Sequence, residues 1–322
     1  MKMLITGSSG FIGRWLVRSA KQAGFDVYGI DRFKAREIQQ NYVGNLCEVG
    51  FLDAVLERVR PDIVVHLAAR TDLGGRTCGD YVDNIDGVDL LLRSLNKYKS
   101  IKKVIFTSTQ LVCKIGHVPN SPIEYCPNTA YGESKVIGEQ LVRGADLGGI
   151  EWCIVRPTTV WGPGISTHYQ RMIKMIEAGR YFHCGHELLY KSYGYCENVA
   201  EQYCRIASAP AGVINSQTLY LADYAPISLR TYADRIANEL NAPKIPTLPM
   251  WAARSLAKVG DLAGCCGFAN FPFNSFRLRN IRTEYVFDMQ KTLKICGTMP
   301  VSFDDGIKRM INWYQASKSR SI

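Results

Sequence analysis

The chain has 322 residues, 47% of them hydrophobic and 21% charged, which is the balance of a globular protein with a substantial core. No apolar run approaches the roughly twenty residues that a membrane-spanning helix needs, so we predict no membrane span. The net charge of +10 admits nucleic acid as a partner, but the basic residues are dispersed and no nucleic-acid motif accompanies them, so we expect none.

A glycine-rich turn lies near the start of the chain, between a predicted buried strand and a predicted helix. Gly7, Gly10 and Gly13 follow one another at intervals of three residues. In this pattern the first glycine permits a tight turn, the second lets a phosphate approach the backbone, and the third lets the helix pack on the strand. The helix N-terminus adds unpaired N–H groups, so the segment predicts a dinucleotide pyrophosphate site.

The second predicted strand ends at Asp31, where a carboxylate can accept hydrogen bonds from the hydroxyls of an adenine ribose. The same carboxylate would repel a 2′-phosphate, so the sequence favours NAD over NADP. Arg32 beside it favours NADP instead, because a guanidinium can pair with that phosphate.

Strands and helices alternate from here to Gly164. After a polar loop we predict a short helix from about Asp53, a strand over 62–69, a helix over 81–95, a strand over 102–109, a helix from Tyr131 to about Arg143, and a strand ending at WGPG. The apolar runs in these strands do not alternate with polar residues, which is typical of parallel strands covered on both faces. The pattern predicts a doubly wound parallel sheet.

The alternation weakens after Gly164. We predict helices over 167–178, 197–207 and 229–240, a strand at TLYLAD, a loop-rich stretch over 243–282 and a last helix over 303–314. The predicted fold class is therefore α/β. Residues 1–164 form a dinucleotide-binding domain whose sheet is completed by later segments, and residues 165–322 form a smaller, mixed substrate-binding lobe.

Eleven cysteines are scattered through the predicted strands and helices. They show no disulfide framework and no metal-ligand spacing such as CxxC, so we predict reduced, mostly buried thiols and no metal site. The first strand begins almost at residue 1, which leaves no room for a signal peptide, and we expect a cytoplasmic protein.

Three side chains form a candidate proton-transfer set. Tyr131 and Lys135 are four residues apart on a predicted helix and so project from the same face. A tyrosine with an ordinary pKa of about 10 is a poor base, but a nearby lysine cation and a positive cofactor ring favour the phenolate. Thr109, at the end of a predicted strand, can hydrogen-bond a substrate hydroxyl or carbonyl.

In order along the chain, GSSGFIG, the HLAA of 66–69, the YxxN of 81–84, TST, YxxxK and RPTTVWGPG resemble the extended short-chain dehydrogenases/reductases. The similarity is strongest to their NAD-dependent epimerase/dehydratase branch, which acts on nucleotide sugars. It covers nearly the whole chain and implies a Rossmann fold. It also implies a homodimer formed through the helices near Tyr81 and Tyr131.

The resemblance also implies roles for individual residues. It assigns the cofactor contacts to Gly7, Gly10, Phe11, Ile12, Gly13, Asp31, Arg32, Asn45, Leu46, Leu67, Ala68, Ala69, Asn84, Tyr131, Lys135, Pro157 and Val160. It makes Tyr131 and Lys135 catalytic, with Thr109 in the Ser/Thr position of the family.

Several positions depart from the family pattern. Thr109 is followed by Gln110 and Leu111 in place of the Asp and Glu of 4,6-dehydratases, so dehydration is not expected. Thr159 replaces an Asn that contacts sugar-nucleotide phosphates, and Asn198 replaces an Asp. The candidate substrate contacts are Thr159, Lys191, Arg277 and Arg279, whereas we interpret His168 as an ordinary surface histidine.

These observations leave three hypotheses. The leading one is an NAD-dependent nucleotide-sugar epimerase or 4-keto reductase/dehydrogenase, with Tyr131 as general acid/base. The second is a dehydrogenase or reductase of a hydrophobic alcohol or ketone such as a sterol, which Thr159 and the apolar stretch 250–273 favour. The third, a non-catalytic NAD-binding protein, conflicts with the intact Thr109, Tyr131 and Lys135 set.

Overall fold

The structure is a computed structural model that describes residues 1–34, 38, 40–265 and 273–319. Its strands are β1 (Lys2–Thr6), β2 (Asp26–Asp31), β3 (Asn41–Val43), β4 (Ile63–His66), β5 (Lys103–Thr107), β6 (Glu151–Pro157), β7 (Thr159–Trp161), β8 (His183–Cys184), β9 (Tyr190–Lys191), β10 (Tyr193–Tyr195), β11 (Gln217–Leu221), β12 (Ile227–Ser228) and β13 (Thr247–Leu248). Its α-helices are α1 (Phe11–Gln22), α2 (Phe51–Val59), α3 (Val82–Leu95), α4 (Ala130–Gly144), α5 (Thr167–Glu177), α6 (Cys196–Ser208), α7 (Leu229–Glu239), α8 (Met250–Cys265), α9 (Ser275–Ile281), α10 (Gln290–Cys296) and α11 (Phe303–Ser319).

The described residues divide into two compact units. The first comprises Met1–Trp161, Tyr193–Tyr224 and Phe287–Val301, and the second Gly162–Ser192, Ala225–Val286 and Ser302–Ile322. Residues 193–224 and 287–301 therefore belong to the first unit. The predicted boundary at residue 164 places them in the substrate-binding lobe.

A parallel sheet organises the first unit. In the described part of the chain it has seven strands in the order β11-β6-β5-β4-β1-β2-β3, and every neighbouring pair is parallel. The order reverses between β1 and β4, and in sheets of this kind ligands bind beyond the carboxyl ends of the strands at that point. The predicted doubly wound sheet is confirmed.

Helices cover both faces of this sheet, which explains the unbroken apolar runs in its strands. In β1, Met3 and Ile5 face one core with α1 and α6, whereas Leu4 faces the opposite core with α2, α3 and α4. All three side chains are fully buried. Burial on both faces removes the polar face that an alternating strand would carry to solvent.

The second unit contains short strand pairs and helices. β8 pairs with β13 in parallel and β9 with β12 antiparallel, while α7 packs against α5 and α11. The stretch 243–282, which we predicted to be loop-rich, instead contains α8 and α9. Alanine, leucine, lysine and arginine have high helix propensity and outweigh the interspersed glycines of α8.

Helix α8 is only partly buried. Ala253 and Ala257 pack against Phe273 and Leu278, whereas Trp251 and Leu262 are exposed. None of the helices in the described ranges is long and apolar enough to cross a membrane.

Candidate active site

The glycine-rich turn between β1 and α1 is too crowded for side chains. Gly7 has a φ of +73°, and a Cβ there would lie 2.7 Å from the Ala68 backbone nitrogen. A Cβ on Gly13 would lie 2.1 Å from the Gly7 carbonyl oxygen. The Gly10 N–H donates to that same oxygen at 3.1 Å, which closes the turn at the helix N-terminus. The turn therefore presents bare backbone, as a site for a pyrophosphate requires.

Asp31 and Arg32 end β2 beside this turn. The Asp31 carboxylate accepts hydrogen bonds from the Ser9 N–H at 2.8 Å and the Phe33 N–H at 3.1 Å. The Arg32 guanidinium forms an ion pair with Asp83 and donates to the Asn45 side-chain oxygen at 3.3 Å. The Arg32 guanidinium, which could pair with a 2′-phosphate, is thus already paired with a carboxylate.

A cavity of about 660 Å³ extends from this turn along the carboxyl edge of the sheet. This volume lies within the range of sites for small molecules and cofactors, about 300–1,000 Å³. Most of the predicted cofactor and catalytic residues line it, namely Gly7, Gly10, Phe11, Ile12, Gly13, Asp31, Arg32, Asn45, Leu46, Leu67, Ala68, Ala69, Thr109, Tyr131, Lys135, Pro157 and Val160.

Asn84 is not among the described residues that line the cavity. Its side chain is instead held behind the cavity wall by hydrogen bonds. It accepts from the Arg70 N–H at 2.7 Å, and it donates to the Arg70 carbonyl at 3.0 Å and to the Ser134 hydroxyl at 3.2 Å. These bonds tie the segment after β4 to helix α4. A direct contact between Asn84 and a cofactor stays a prediction.

Helix α4 carries Tyr131 and Lys135 into the cavity wall. The Thr129 hydroxyl caps its N-terminus by accepting from the Gly132 N–H at 3.0 Å. Glu139, one further turn along the same face, forms a two-bond ion pair with the buried Arg156 of β6, at 2.8 and 2.7 Å. The face that presents the catalytic candidates is therefore fixed to the sheet.

Tyr131 is buried, with only 7% of its surface exposed. Burial raises the pKa of its phenol to about 12, while a hydrogen bond with Thr109 acts in the opposite direction by favouring the phenolate. A phenol with this pKa keeps its proton at neutral pH, so Tyr131 needs a neighbouring positive charge to act as a base.

Lys135 lies one turn after Tyr131 on α4. Burial lowers the pKa of its ammonium to about 8, and its Nζ donates to the Thr107 carbonyl oxygen at 2.9 Å. The ammonium is still charged at pH 7 and is held against the end of β5. Neutral His66, whose pKa burial lowers to about 3, adds no competing charge.

The predicted substrate contacts lie outside the cavity wall. The Thr159 hydroxyl accepts from the Gln110 side chain at 3.4 Å. In the second unit the Lys191 Nζ donates to the Asn280 carbonyl at 2.5 Å, and burial lowers the pKa of this amine. Arg277 and Arg279 lie on α9. The side chain of His168 lies outside the described residues.

Several lining residues were not predicted from the sequence. They include Ser9, Arg70, Thr71, Asp83, Thr107, Ser108 and Thr158. Thr107 and Ser108 directly follow the buried run of β5, and the rule that sites lie at the carboxyl ends of parallel strands would have identified them. Asp83 is held at the cavity by its ion pair with Arg32. This contact joins distant segments, and sequence spacing does not indicate it.

These residues fit a dinucleotide. The cradle at Gly7 and Gly13 accepts no Cβ, the carboxylate of Asp31 stands at the end of β2, and the cavity continues to Tyr131. The turn, the acid and the proton donor are the parts that a nicotinamide dinucleotide requires of its protein.

A family model described as the NAD dependent epimerase/dehydratase family matches residues 3–221.

Three relatives align with nearly the full chain. The 2-alkyl-3-oxoalkanoate reductase of Stenotrophomonas maltophilia is 24% identical, over 96% of this chain and 98% of its own. The sterol-4-alpha-carboxylate 3-dehydrogenase erg26, decarboxylating, of Schizosaccharomyces pombe is 24% identical over 99% of each chain. The N-acetyl-alpha-D-glucosaminyl-diphospho-ditrans,octacis-undecaprenol 4-epimerase of Escherichia coli O157:H7 is 25% identical, over 97% of this chain and 94% of its own.

Among solved structures, the UDP-glucose 4-epimerase of Thermotoga maritima with UDP-glucose has the same fold. It superposes with a TM-score of 0.73 at 20% identity, covering 99% of this chain and 100% of that one.

Proposed function

Because the chain belongs to the NAD-dependent epimerase/dehydratase family, we propose that it uses NAD to oxidise or reduce a carbinol carbon of a nucleotide sugar. The observation that carries this proposal is one cavity that holds both the glycine cradle and the Thr109, Tyr131 and Lys135 set. Net epimerisation follows if the keto form returns to the alcohol in the site, and reduction or dehydrogenation follows if it leaves. All three outcomes use the same residues.

Tyr131 is the proposed general acid/base. NAD, when bound, supplies the hydride acceptor for the carbinol carbon. In that direction the Tyr131 phenolate, which the positive nicotinamide ring would favour, takes the proton of the substrate hydroxyl, and in the reverse direction the phenol gives its proton to the carbonyl oxygen. Thr109, already hydrogen-bonded to the phenol, holds the same oxygen in line. The Lys135 cation stabilises the phenolate by charge, which opposes the effect of burial.

NAD is proposed over NADP because of the charges at the end of β2. Asp31 and Asp83 both line the cavity and Arg32 is paired with Asp83, so a 2′-phosphate beside Asp31 would meet carboxylates and a guanidinium that is already paired. Replacing Asp83 by Asn releases Arg32, and we expect this variant to gain affinity for NADP relative to NAD. Thr159, Lys191, Arg277 and Arg279 remain proposed substrate contacts.

A hydrophobic alcohol or ketone is the second candidate substrate. Thr159 stands where a phosphate-contacting Asn is usual, and its hydroxyl is engaged by Gln110. Two of the relatives are named for an alkyl oxoalkanoate and a sterol carboxylate, both largely apolar. These observations favour an apolar substrate without changing the proposed chemistry of Tyr131.

Thermal unfolding of the NAD-saturated protein separates the two substrates. UDP, GDP, dTDP and CDP are added one at a time, with a sterol alcohol and a 3-oxoalkanoate as parallel ligands. A ligand at a hundred times its Kd stabilises the fold by about 2.7 kcal/mol, which shifts the midpoint measurably. A shift with one nucleoside diphosphate supports the nucleotide-sugar proposal and identifies the base. A shift with the apolar ligands alone transfers the proposal to the second candidate.

A further inference from the structure

Three side chains that could bind a metal ion lie close together in the segment between Thr109 and Tyr131. Cys113, His117 and Cys126 each place a potential ligand atom within 4.8 Å of the other two. Cys113 is fully buried, and neither cysteine forms a disulfide. We predicted no metal site because the sequence has no CxxC spacing and no cluster of histidines. The fold brings the three side chains together.

The backbone explains why these residues meet. Cys113 and Cys126 form an isolated bridge, in which the Lys114 N–H donates to the Cys126 carbonyl at 2.8 Å and the Cys126 N–H donates to the Val112 carbonyl at 3.1 Å. A turn closed by the His117 N–H and the Lys114 carbonyl, 3.0 Å apart, then brings the imidazole back towards the thiols. Gly116 permits this turn with a φ of +91°.

A carboxylate orients the imidazole. His117 Nε2 lies 2.6 Å from Glu124 Oε1, and the other Glu124 oxygen accepts from the Asn120 N–H at 2.7 Å. With its Nε2 proton donated to Glu124, neutral His117 has its lone pair on Nδ1. A carboxylate behind a histidine is the usual support of a metal-binding imidazole, because it fixes the tautomer and raises the basicity of the free nitrogen.

We propose that Cys113, His117 and Cys126 bind one Zn²⁺, with Glu124 supporting His117 from behind. Two thiolates and an imidazole are ligands that zinc prefers, and a site with three protein ligands keeps a fourth position for water. Binding releases the two thiol protons, so the net charge of the protein with its ion is unchanged. Zinc bond lengths place tetrahedral ligands about 3.5–3.8 Å apart, so atoms within 4.8 Å of one another need to move closer by at most about 1.3 Å.

The position of the site gives it a structural role. The segment from Cys113 to Cys126 begins two residues after Leu111 and ends four residues before the start of α4. Val112 and Cys113 pack with Val136 of α4, and Tyr125 and Cys126 lie against the same cluster. A metal that joins the two ends of this loop would hold Thr109 and Tyr131 in a fixed relation.

Metal binding is tested on the purified, reduced full chain after chelation. Zinc is titrated in competition with a chromophoric chelator, and Co²⁺ serves as a second probe because thiolate coordination gives it charge-transfer absorption. We expect one zinc per chain. Cys113→Ser and Cys126→Ser should each lose at least tenfold in affinity together with the cobalt band, and Glu124→Gln should lose about 10- to 100-fold.

Cys78→Ser is the matched control, because this cysteine is half-buried in the same unit, forms no disulfide and lies outside the cluster. It should bind zinc like the parent protein, and all three cysteine variants should keep the NAD-dependent thermal shift as evidence of folding. Stoichiometry well below one, or zinc affinity unchanged in Cys113→Ser and Cys126→Ser, overturns the proposal. So does a Cys113–Cys126 disulfide that persists in millimolar reductant. None of these readouts depends on catalytic activity.

Discussion

At the scale of single residues, Lys135 shows a conflict between stability and chemistry. Burial lowers the pKa of its ammonium to about 8, whereas an unfolded lysine titrates near 10.4. Between these values the unfolded chain binds more protons than the folded chain, so the stability of the protein rises with pH. Below pH 8 the full penalty of a buried cation is present.

Lys135→Met removes this penalty and should make the cofactor-free protein more stable at pH 7. The pKa depression and the lost bond to the Thr107 carbonyl together suggest a gain of about 2 kcal/mol. The gain should shrink towards zero as the pH approaches 10, because the parent lysine is then largely neutral. Urea unfolding at pH 7, 8.5 and 10 measures it. A difference that does not vary with pH would show that the ammonium is not penalised.

Asn198, which replaces a family Asp, is explained by its neighbour Asp223. The Asn198 amide donates to the Asp223 carboxylate at 2.7 Å and to the Val301 carbonyl at 2.9 Å. Burial also raises the pKa of Asp223 to about 6. A second carboxylate here would face the first without a donor between them, so the departure from the family pattern has a structural cause.

Asn198→Asp should therefore destabilise the fold by about 3–5 kcal/mol at pH 8, the usual effect of an uncompensated buried charge. The paired carboxyls take up a proton as the pH falls, since each raises the pKa of the other, and the loss should be smaller at pH 5. Asn215→Asp, on an exposed side chain, is the control and should change stability by less than about 0.5 kcal/mol. Equal losses at both pH values would refute the charge explanation.

At the scale of elements, the strand–turn–helix at the N-terminus was predictable because its signals are local. Glycine spacing, the apolar run of β1 and the acid ending β2 all lie within 31 residues. Helices α8 and α9 were missed, because glycine, proline and asparagine in that stretch masked its helical propensity. The Cys113, His117 and Cys126 cluster was missed for another reason, since it depends on a backbone bridge between segments.

Gly13→Ala tests the turn as a unit. Its Cβ would lie 2.1 Å from the Gly7 carbonyl, so α1 must move away from the phosphate cradle. We expect a stability loss of about 1–3 kcal/mol and a loss of NAD affinity of more than tenfold by titration calorimetry. Gly144→Ala is matched to it, because a Cβ at that helix position meets no atom within 4 Å. Normal NAD affinity in Gly13→Ala would argue against this cradle.

The attachment of α4 to the sheet is a second property of an element. Arg156 is fully buried and its guanidinium is paired with Glu139, which lies eight residues after Tyr131 on the same helix face. Glu139→Gln leaves that cation uncompensated and should destabilise the protein by about 3–5 kcal/mol in urea unfolding. Glu133→Gln, on the exposed side of α4, should have little effect. Similar small losses in both variants would mean that the ion pair does not anchor the helix.

At the scale of the whole molecule, the sequence predicted the class of the sheet and its completion by later segments, but not which segments return. Residues 193–224 and 287–301 rejoin the first unit, where β11 pairs with β6 across more than sixty residues of sequence. Periodicity predicts a strand and leaves its partner open. The expected homodimer through the helices near Tyr81 and Tyr131 likewise stays a prediction, which sedimentation equilibrium can test.

The central claim is that this chain performs hydride chemistry in the described cavity with Tyr131 as its acid/base. Its most direct test is a single-turnover experiment, in which NAD-saturated protein is mixed with the substrate class found by thermal shift and NADH absorbance is followed in time. We predict that Tyr131→Phe binds NAD normally but transfers hydride about 10²- to 10⁴-fold more slowly than the parent, the usual contribution of a general acid/base. Hydride transfer at the parental rate in Tyr131→Phe would contradict the account.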